Sequence, residues 1–208
     1  MSGTQKKGRI IAIVGAPRSG KSFLATKLAE HYKARLFLEG EEGTFPKRIE
    51  EDITQNIRPL ERVLWFRTML VNRYLEAMRL RDEGYTVVLD VFWMSPQLFI
   101  DALLSGFEQE LMHDVAAQDR RLLGWPDATI FLKISETSMR DFIAHGGRSF
   151  DQSEAFVTEQ AMPVNRLHEE FFARESANTV LVVERDGLDF DRDDHLEGLT
   201  AQIDALFG

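Results

Sequence analysis

Cysteine is missing altogether from this 208-residue chain. Disulfides, thiolate metal sites and cysteine nucleophiles are excluded together. Long hydrophobic runs are missing too, since no apolar stretch approaches the ~20 residues of a membrane-spanning helix. The first residues are polar, and the apolar stretch at 10–14 is too short for the core of a secretory signal. Positive charge is scarce: 25 Lys and Arg stand against 34 Asp and Glu, a net charge of −9. Lys6-Lys7 is a short pair and the arginines are scattered, so the chain as a whole repels phosphate backbones and no nucleic-acid partner is expected. Internal repeats and low-complexity linkers are absent, which leads us to expect a single domain over residues 1–208. The five histidines, His31, His113, His145, His168 and His195, are too dispersed for a metal site. The acidic run Asp186–Asp194 lacks the spacing of a twelve-residue calcium loop and reads as a solvated approach to a last helix. What is present is globular: 44% hydrophobic and 28% charged residues, enough to cover a parallel sheet on both faces. A soluble, cytoplasmic protein with no membrane partner is the expectation.

Short β-rich runs alternate with longer helix-patterned segments. The runs are Arg9–Val14, Ala34–Leu38, Tyr85–Leu89, Ala128–Ile134 and Thr179–Val183. In the first, third and fifth, nearly continuous Val, Ile, Leu and Phe predict strands buried on both faces. Helical crossovers are expected at Lys21–Tyr32, Pro59–Arg81, Pro96–Arg121, Glu154–Arg174 and near Asp193–Leu206. In the second of these Leu60, Leu64, Val71, Tyr74 and Met78 recur at helical spacing. Such alternation predicts an α/β three-layer fold, a parallel sheet of about five strands flanked by helices. Gly146-Gly147 interrupts a polar stretch after the fourth strand and reads as a hinge or lid. The stretch Asp114–Pro126 is unassigned.

The segment Gly15-Ala16-Pro17-Arg18-Ser19-Gly20-Lys21-Ser22 fits G-x-x-x-x-G-K-[ST] at every fixed position. An apolar strand precedes it and an amphipathic helix follows, as a phosphate-binding loop requires. The glycines let the backbone curl so that successive N–H groups face phosphates, and the helix N-terminus adds partial positive charge. Lys21 would reach the β- and γ-phosphates, and the Ser22 hydroxyl would coordinate Mg²⁺. The base-reading N-K-x-D sequence of GTPases is absent, so a phosphotransferase acting on a small acceptor is expected. Asp90 ends the strand "YTVVLD", where many such proteins keep an acid associated with Mg²⁺. A turn residue that merely ends the strand is the other reading. A carboxylate at the C-terminal end of the second strand lies beside the phosphate loop, where an acceptor hydroxyl needs a base. Glu39 holds that place, with Glu41 and Glu42 as rivals.

From "GAPRSGKS" through "LEGEEGTFP", "LDVFW", "IFLKISETSMRDFIAHGGRSFD", "VNRLHEEFF" and "TVLVVERDGLDFD", most of the chain resembles the deoxynucleoside kinases. The resemblance implies the P-loop kinase fold, ATP as donor with Mg²⁺, a homodimer, and a lid near residues 140–152. It makes Glu39 the base for the 5′-hydroxyl of a nucleoside. Arg148 becomes the lid arginine that neutralises the transferring phosphoryl group, with Arg140 assisting.

The departures fall on the acceptor side. Family members carry an acid followed by Arg-Ser after the third strand and often an Asp-Arg pair further on. Here the chain reads Asp90-Val91-Phe92-Trp93-Met94-Ser95-Pro96-Gln97. The helix that supplies a base-reading glutamine has none between residues 56 and 96. Its counterpart is Trp65-Phe66-Arg67, with Arg73 one to two turns on. Phe66, Arg67, Arg73 and Phe92 are therefore the candidate substrate-binding residues beside Glu39. Trp65, Phe66, Phe92, Trp93 and Met94 either line a slot for a flat substrate or belong to the core. Three functions follow: a nucleoside kinase, a kinase of another small-molecule alcohol, or a nucleotide-binding subunit without transfer.

Overall fold

Five parallel strands meet the five apolar runs: β1 (Ile10–Gly15), β2 (Arg35–Phe37), β3 (Val87–Leu89), β4 (Ala128–Lys133) and β5 (Val180–Glu184). They form one sheet in the order β2-β3-β1-β4-β5. This is a computed structural model, and it describes residues 8–40, 45–145, 157–174 and 179–207. Leu89 of β3 pairs with Ala12 of β1 on one side and with Phe37 of β2 on the other. Gly15 pairs with Leu132 of β4. The strand ends next to the loop after β1 are thereby brought level.

β1 is buried along its whole length, and its alternation divides the core. Ile10, Ala12 and Val14 join Leu89 and Phe131 in packing against Tyr74, Ala77, Leu98 and Phe172. Those residues come from the helices α3 (Pro59–Asp82), α4 (Ser95–Leu103) and α7 (Met162–Arg174). Ile11 and Ile13 face the other way, onto Leu24, Leu28, Leu199 and Ile203. These belong to α1 (Lys21–Tyr32) and to the last helix, α8 (Asp193–Ala205). Helices thus cover both faces of the sheet, which is why its central strands read as unbroken apolar runs.

Three elements differ from the sequence-based expectation. The fifth run, expected to be buried on both faces, forms the edge strand β5, where Val182 is 47% exposed and only Val183 is buried, because no strand among the described residues pairs with its outer side. The segment expected as one helix over Pro96–Arg121 forms two, α4 and α5 (Gly106–Leu123). Leu104 and Ser105 are extended between them, and Gly106 takes φ +57°, a value that suits a residue without Cβ. A short additional helix, α2 (Lys47–Thr54), turns Ile49 and Ile53 inward against Phe45, Trp65 and Phe66. The helix α6 (Glu136–His145) follows β4, and a π-helical turn at Val157–Ala161 leads into α7. The expected lid lies outside the described residues from residue 146 on. No helix among the described residues is long and apolar enough to cross a membrane.

Ile13 is fully buried in the central strand. Ile13→Ala should cost about 2–5 kcal/mol of stability, the usual range for a truncation that leaves a cavity. Chemical denaturation with an unchanged m-value checks it, and a loss under about 1 kcal/mol would place the core elsewhere.

Candidate active site

The loop Gly15–Ser22 begins where β1 ends, because nothing larger than glycine fits there. Gly15 has φ +150°, and a Cβ on it would come within 2.7 Å of the Leu132 carbonyl oxygen. Gly20, at φ +90°, hands the loop to α1, whose N-terminus it caps. Arg18 sits at φ +65°, a left-handed conformation rare for a residue with a long side chain. The Ser19 hydroxyl and Arg18 Nε are buried and have no hydrogen-bond partner among the described residues. Lys21 folds back across the loop and donates to the Ala16 carbonyl at 2.8 Å. A glycine-bounded cradle with polar atoms left over and a lysine at its mouth fits a phosphate chain.

Beside the cradle lies Asp90, one residue past β3 and 2% exposed. Its carboxylate accepts the Ser22 hydroxyl at 2.7 Å and the Glu39 backbone N–H at 2.6 Å. Burial pushes its pKa up to about 6, and the nearby Glu39 charge adds to this, while Ser22, Lys21 and the Glu39 amide work against it. A hydroxyl and a carboxylate in contact make an oxygen donor set suited to Mg²⁺.

The loop opens into one continuous cavity. A cavity of about 380 Å³ is lined at one end by Gly15, Pro17, Arg18, Gly20, Lys21 and Ser22, with Glu39 among its walls. The remainder is mostly apolar, built from Ile53, Val63, Phe66, Leu70, Val91 and Phe99. Arg62, Ser95 and His168 supply polar atoms. Of the expected site residues, Lys21, Ser22, Glu39 and Phe66 line this space, and Asp90 stands behind it.

Three residues expected to bind substrate lie elsewhere. Arg67 donates to both carboxylate oxygens of Asp119 on α5, at 2.7 and 2.5 Å. Arg73 donates to the Leu38 carbonyl at the end of β2. Phe92 is fully buried among Tyr74, Trp93 and Trp125, so the aromatic stretch after β3 is core. Trp93 belongs to it as well, donating its indole N–H to the Gly124 carbonyl at 2.9 Å. Arg140 lies on α6 within 3.9 Å of Glu136 and does not line the cavity. Arg148, Glu41 and Glu42 lie outside the described residues.

Arg62, Ser95 and His168 in the cavity lining escaped the sequence reading, and so did a residue that holds the loop. Arg185, just after β5, donates through Nε to the Ser19 carbonyl at 3.2 Å and also bonds the Leu188 carbonyl. Its guanidinium stands 5.1 Å from the Phe142 ring centre and 4.8 Å from that of Phe190. It ties the end of β5 to the glycine-bounded loop. Its position at the C-terminal end of a strand, level with the loop, was the one signal in the sequence.

Asp90 predicts a conflict between stability and site chemistry. A carboxyl whose folded pKa is raised binds its proton more tightly folded than unfolded, so it favours the fold below about pH 4. That advantage disappears as pH rises through about 6. Asp90→Asn, whose carbonyl can still accept the Glu39 N–H while its NH2 donates to a Ser22 hydroxyl turned acceptor, should raise stability at pH 7.5 by on the order of 2 kcal/mol and change it little at pH 4. Thermal unfolding at the two pH values checks this, and an equal shift at both would refute it.

No protein-family model and no curated protein matches the chain. Among solved structures it is similar to deoxyadenosine kinase from M. mycoides with the products dCMP and a flexible dCDP bound. That match has a TM-score of 0.76 at 16% identity, covering 94% of this chain and 99% of that one. The same enzyme with bound dATP gives 0.72 at 16% identity over 94% and 99%. Thymidylate kinase from Candida albicans gives 0.72 at 19% identity, covering 96% of this chain and 92% of that one. At these identities the likeness is one of architecture: the chain has the P-loop kinase fold of nucleoside and nucleotide kinases.

Proposed function

We propose that this chain is an ATP-dependent phosphotransferase that phosphorylates the 5′-hydroxyl of a (deoxy)nucleoside, acting as one domain with a lid near residues 140–152. The observation that carries the reading is the cavity itself, in which the phosphate loop and Glu39 share one space with an apolar pocket. The solved neighbours whose descriptions name dCMP, dATP and dCTP support it. We take the protein to be cytoplasmic and homodimeric, with no nucleic-acid or membrane partner.

In this reading the loop amides and Lys21 hold the β- and γ-phosphates, and Arg148 closes from the lid with Arg140 assisting. Ser22 and Asp90 would hold Mg²⁺, which when bound neutralises charge building on the phosphate oxygens. Glu39 takes the proton from the acceptor hydroxyl. Asp90 holds the Glu39 backbone N–H, which fixes the base relative to the loop. Arg73 ties α3 to the carbonyl one residue earlier. Transfer itself needs little covalent help, so positioning and charge complementarity account for most of the rate.

A second reading, a kinase of another small-molecule alcohol, rests on one specific observation. The stretch where the resembling family places a base-reading amide reads Trp65-Phe66-Arg67; Phe66 faces the cavity, and Asp119 holds the Arg67 guanidinium in a bidentate pair away from it. Phosphorylation of a non-nucleoside alcohol, with all common nucleosides refused, would select it.

Lys21→Ala should weaken ATP binding and abolish transfer. Glu39→Gln should retain ATP affinity while lowering turnover by about 10²–10⁴-fold, the usual contribution of a general base. Calorimetry with ATP and mass detection of nucleoside monophosphates separate the two. Equal loss of ATP affinity in both variants would overturn these roles.

A further inference from the structure

Beyond the glycine-bounded loop the cavity is walled mainly by apolar side chains. Ile53 comes from α2, Val63, Phe66 and Leu70 from α3, Val91 from the turn after β3, and Phe99 from α4. The Phe66 ring is only partly buried, and Phe45 at 5.5 Å and Trp65 at 4.9 Å hold it edge-on, with interplanar angles of 85° and 81°. Phe99 is partly buried as well. Polar side chains close to these walls are engaged within the protein. Asp119 holds Arg67, and the Leu38 carbonyl holds Arg73. Gln97 on α4 accepts Arg120 Nε at 2.8 Å through its oxygen and donates its amide N–H to the Ala116 carbonyl at 3.4 Å. Arg62 is 3% exposed and donates to Asn56 Oδ1 at 3.1 Å. Ser95 and His168 line the cavity, but Ser95 Oγ and His168 Nε2 are buried and present no surface to it. His168 Nδ1 donates to the Val164 carbonyl at 2.8 Å.

Resting on the nucleoside kinase reading, we propose that this site selects the base of its acceptor by outline and stacking area, with no side chain of the described walls bonding the base edge. In that reading the reacting hydroxyl sits between the loop and Glu39, so the rest of the acceptor extends into the apolar part of the cavity. A base placed there meets ring and methyl surface. Stacking on an aromatic side chain works through area and is indifferent to which atoms stand on the edge of the base. Polar edge atoms give up water there without gaining a side-chain partner, which costs binding. A flat group of the same outline without those atoms avoids the cost and retains the contact. Val63 and Leu70 are each 2% exposed, so the walls are packed from behind and set a firm limit on size.

The test supplies Mg-ATP and, as acceptors, the four common 2′-deoxynucleosides and two apolar partners. Difluorotoluene replaces thymine and methylbenzimidazole replaces adenine, each as the deoxynucleoside and each without the Watson–Crick hydrogen-bonding groups. In wild type each apolar partner should reach a kcat/KM within about threefold of its natural counterpart, or exceed it. A site that bonds the base edge would reject it by about 100-fold or more. Phe66→Ala should lower kcat/KM by about 10- to 100-fold, by the same factor on thymidine and on its apolar partner. That loss should appear in KM, with ATP affinity by calorimetry retained. An unchanged KM with only the melting temperature lowered would make Phe66 a structural residue and overturn its part. Thymidine or deoxyadenosine phosphorylated, with its apolar partner refused by more than about tenfold, would overturn the inference and leave the nucleoside kinase reading standing. Product from deoxycytidine or deoxyguanosine alone would do the same. A wild type that binds ATP and phosphorylates none of the acceptors would overturn that reading and the inference together.

Discussion

One buried carboxylate joins the parts of this site. Asp90 bonds the Ser22 hydroxyl after β1 and the Glu39 amide after β2 while itself extending β3. Three strand ends converge on it because Leu89 is in register with both Ala12 and Phe37. The arrangement places an ionisable group where burial opposes its charge, and a core designed for stability alone would put a neutral residue there. Acceptance of that cost is understandable if the charge is needed beside a metal-bound phosphate. The loop, the candidate base and the candidate metal ligands then move as one unit, and the sheet sets their spacing.

The parts readable from sequence are those whose signals are local. β1, the phosphate loop and α1 are contiguous, and few structures besides a nucleotide site put a glycine-bounded loop straight after a strand buried on both faces. Asp90 was legible for the same reason, as the first polar residue after such a strand. Less visible was α2, since Lys47–Thr54 is mostly charged and shows only Ile49 and Ile53 to the core. The break between α4 and α5 also escaped, because Leu104-Ser105-Gly106 interrupts an apolar pattern that resumes on both sides. In each case a weak local signal was outweighed by the longer periodicity around it.

Arginines were the least legible class, and the reason is physical. A guanidinium on a helix can serve a ligand, a distant carboxylate or a backbone carbonyl, and its own sequence neighbourhood does not distinguish them. Arg67 finds Asp119, 52 residues away. Arg73 finds Leu38, 35 residues away. Arg185 finds Ser19, 166 residues away. All three act within the protein, bracing helix on helix, helix on strand end, and strand end on phosphate loop.

The apolar part of the cavity therefore lacks the arginines that its sequence suggests. Two arginines that looked like binding groups are committed to structure, and the aromatic stretch after β3 belongs to a packed cluster of Tyr74, Phe92, Trp93 and Trp125. Stacked aromatic rings hold their neighbours in narrow geometry, and the Phe131–His168–Phe172 stack fixes the His168 ring that lines the cavity. Among the cavity's lining residues Arg18 and Lys21 belong to the glycine-bounded loop, Glu39 follows β2 beside it, and Arg62 brings charge to the apolar walls, so the charge is set by the strand ends and the apolar shape by α3 and α4.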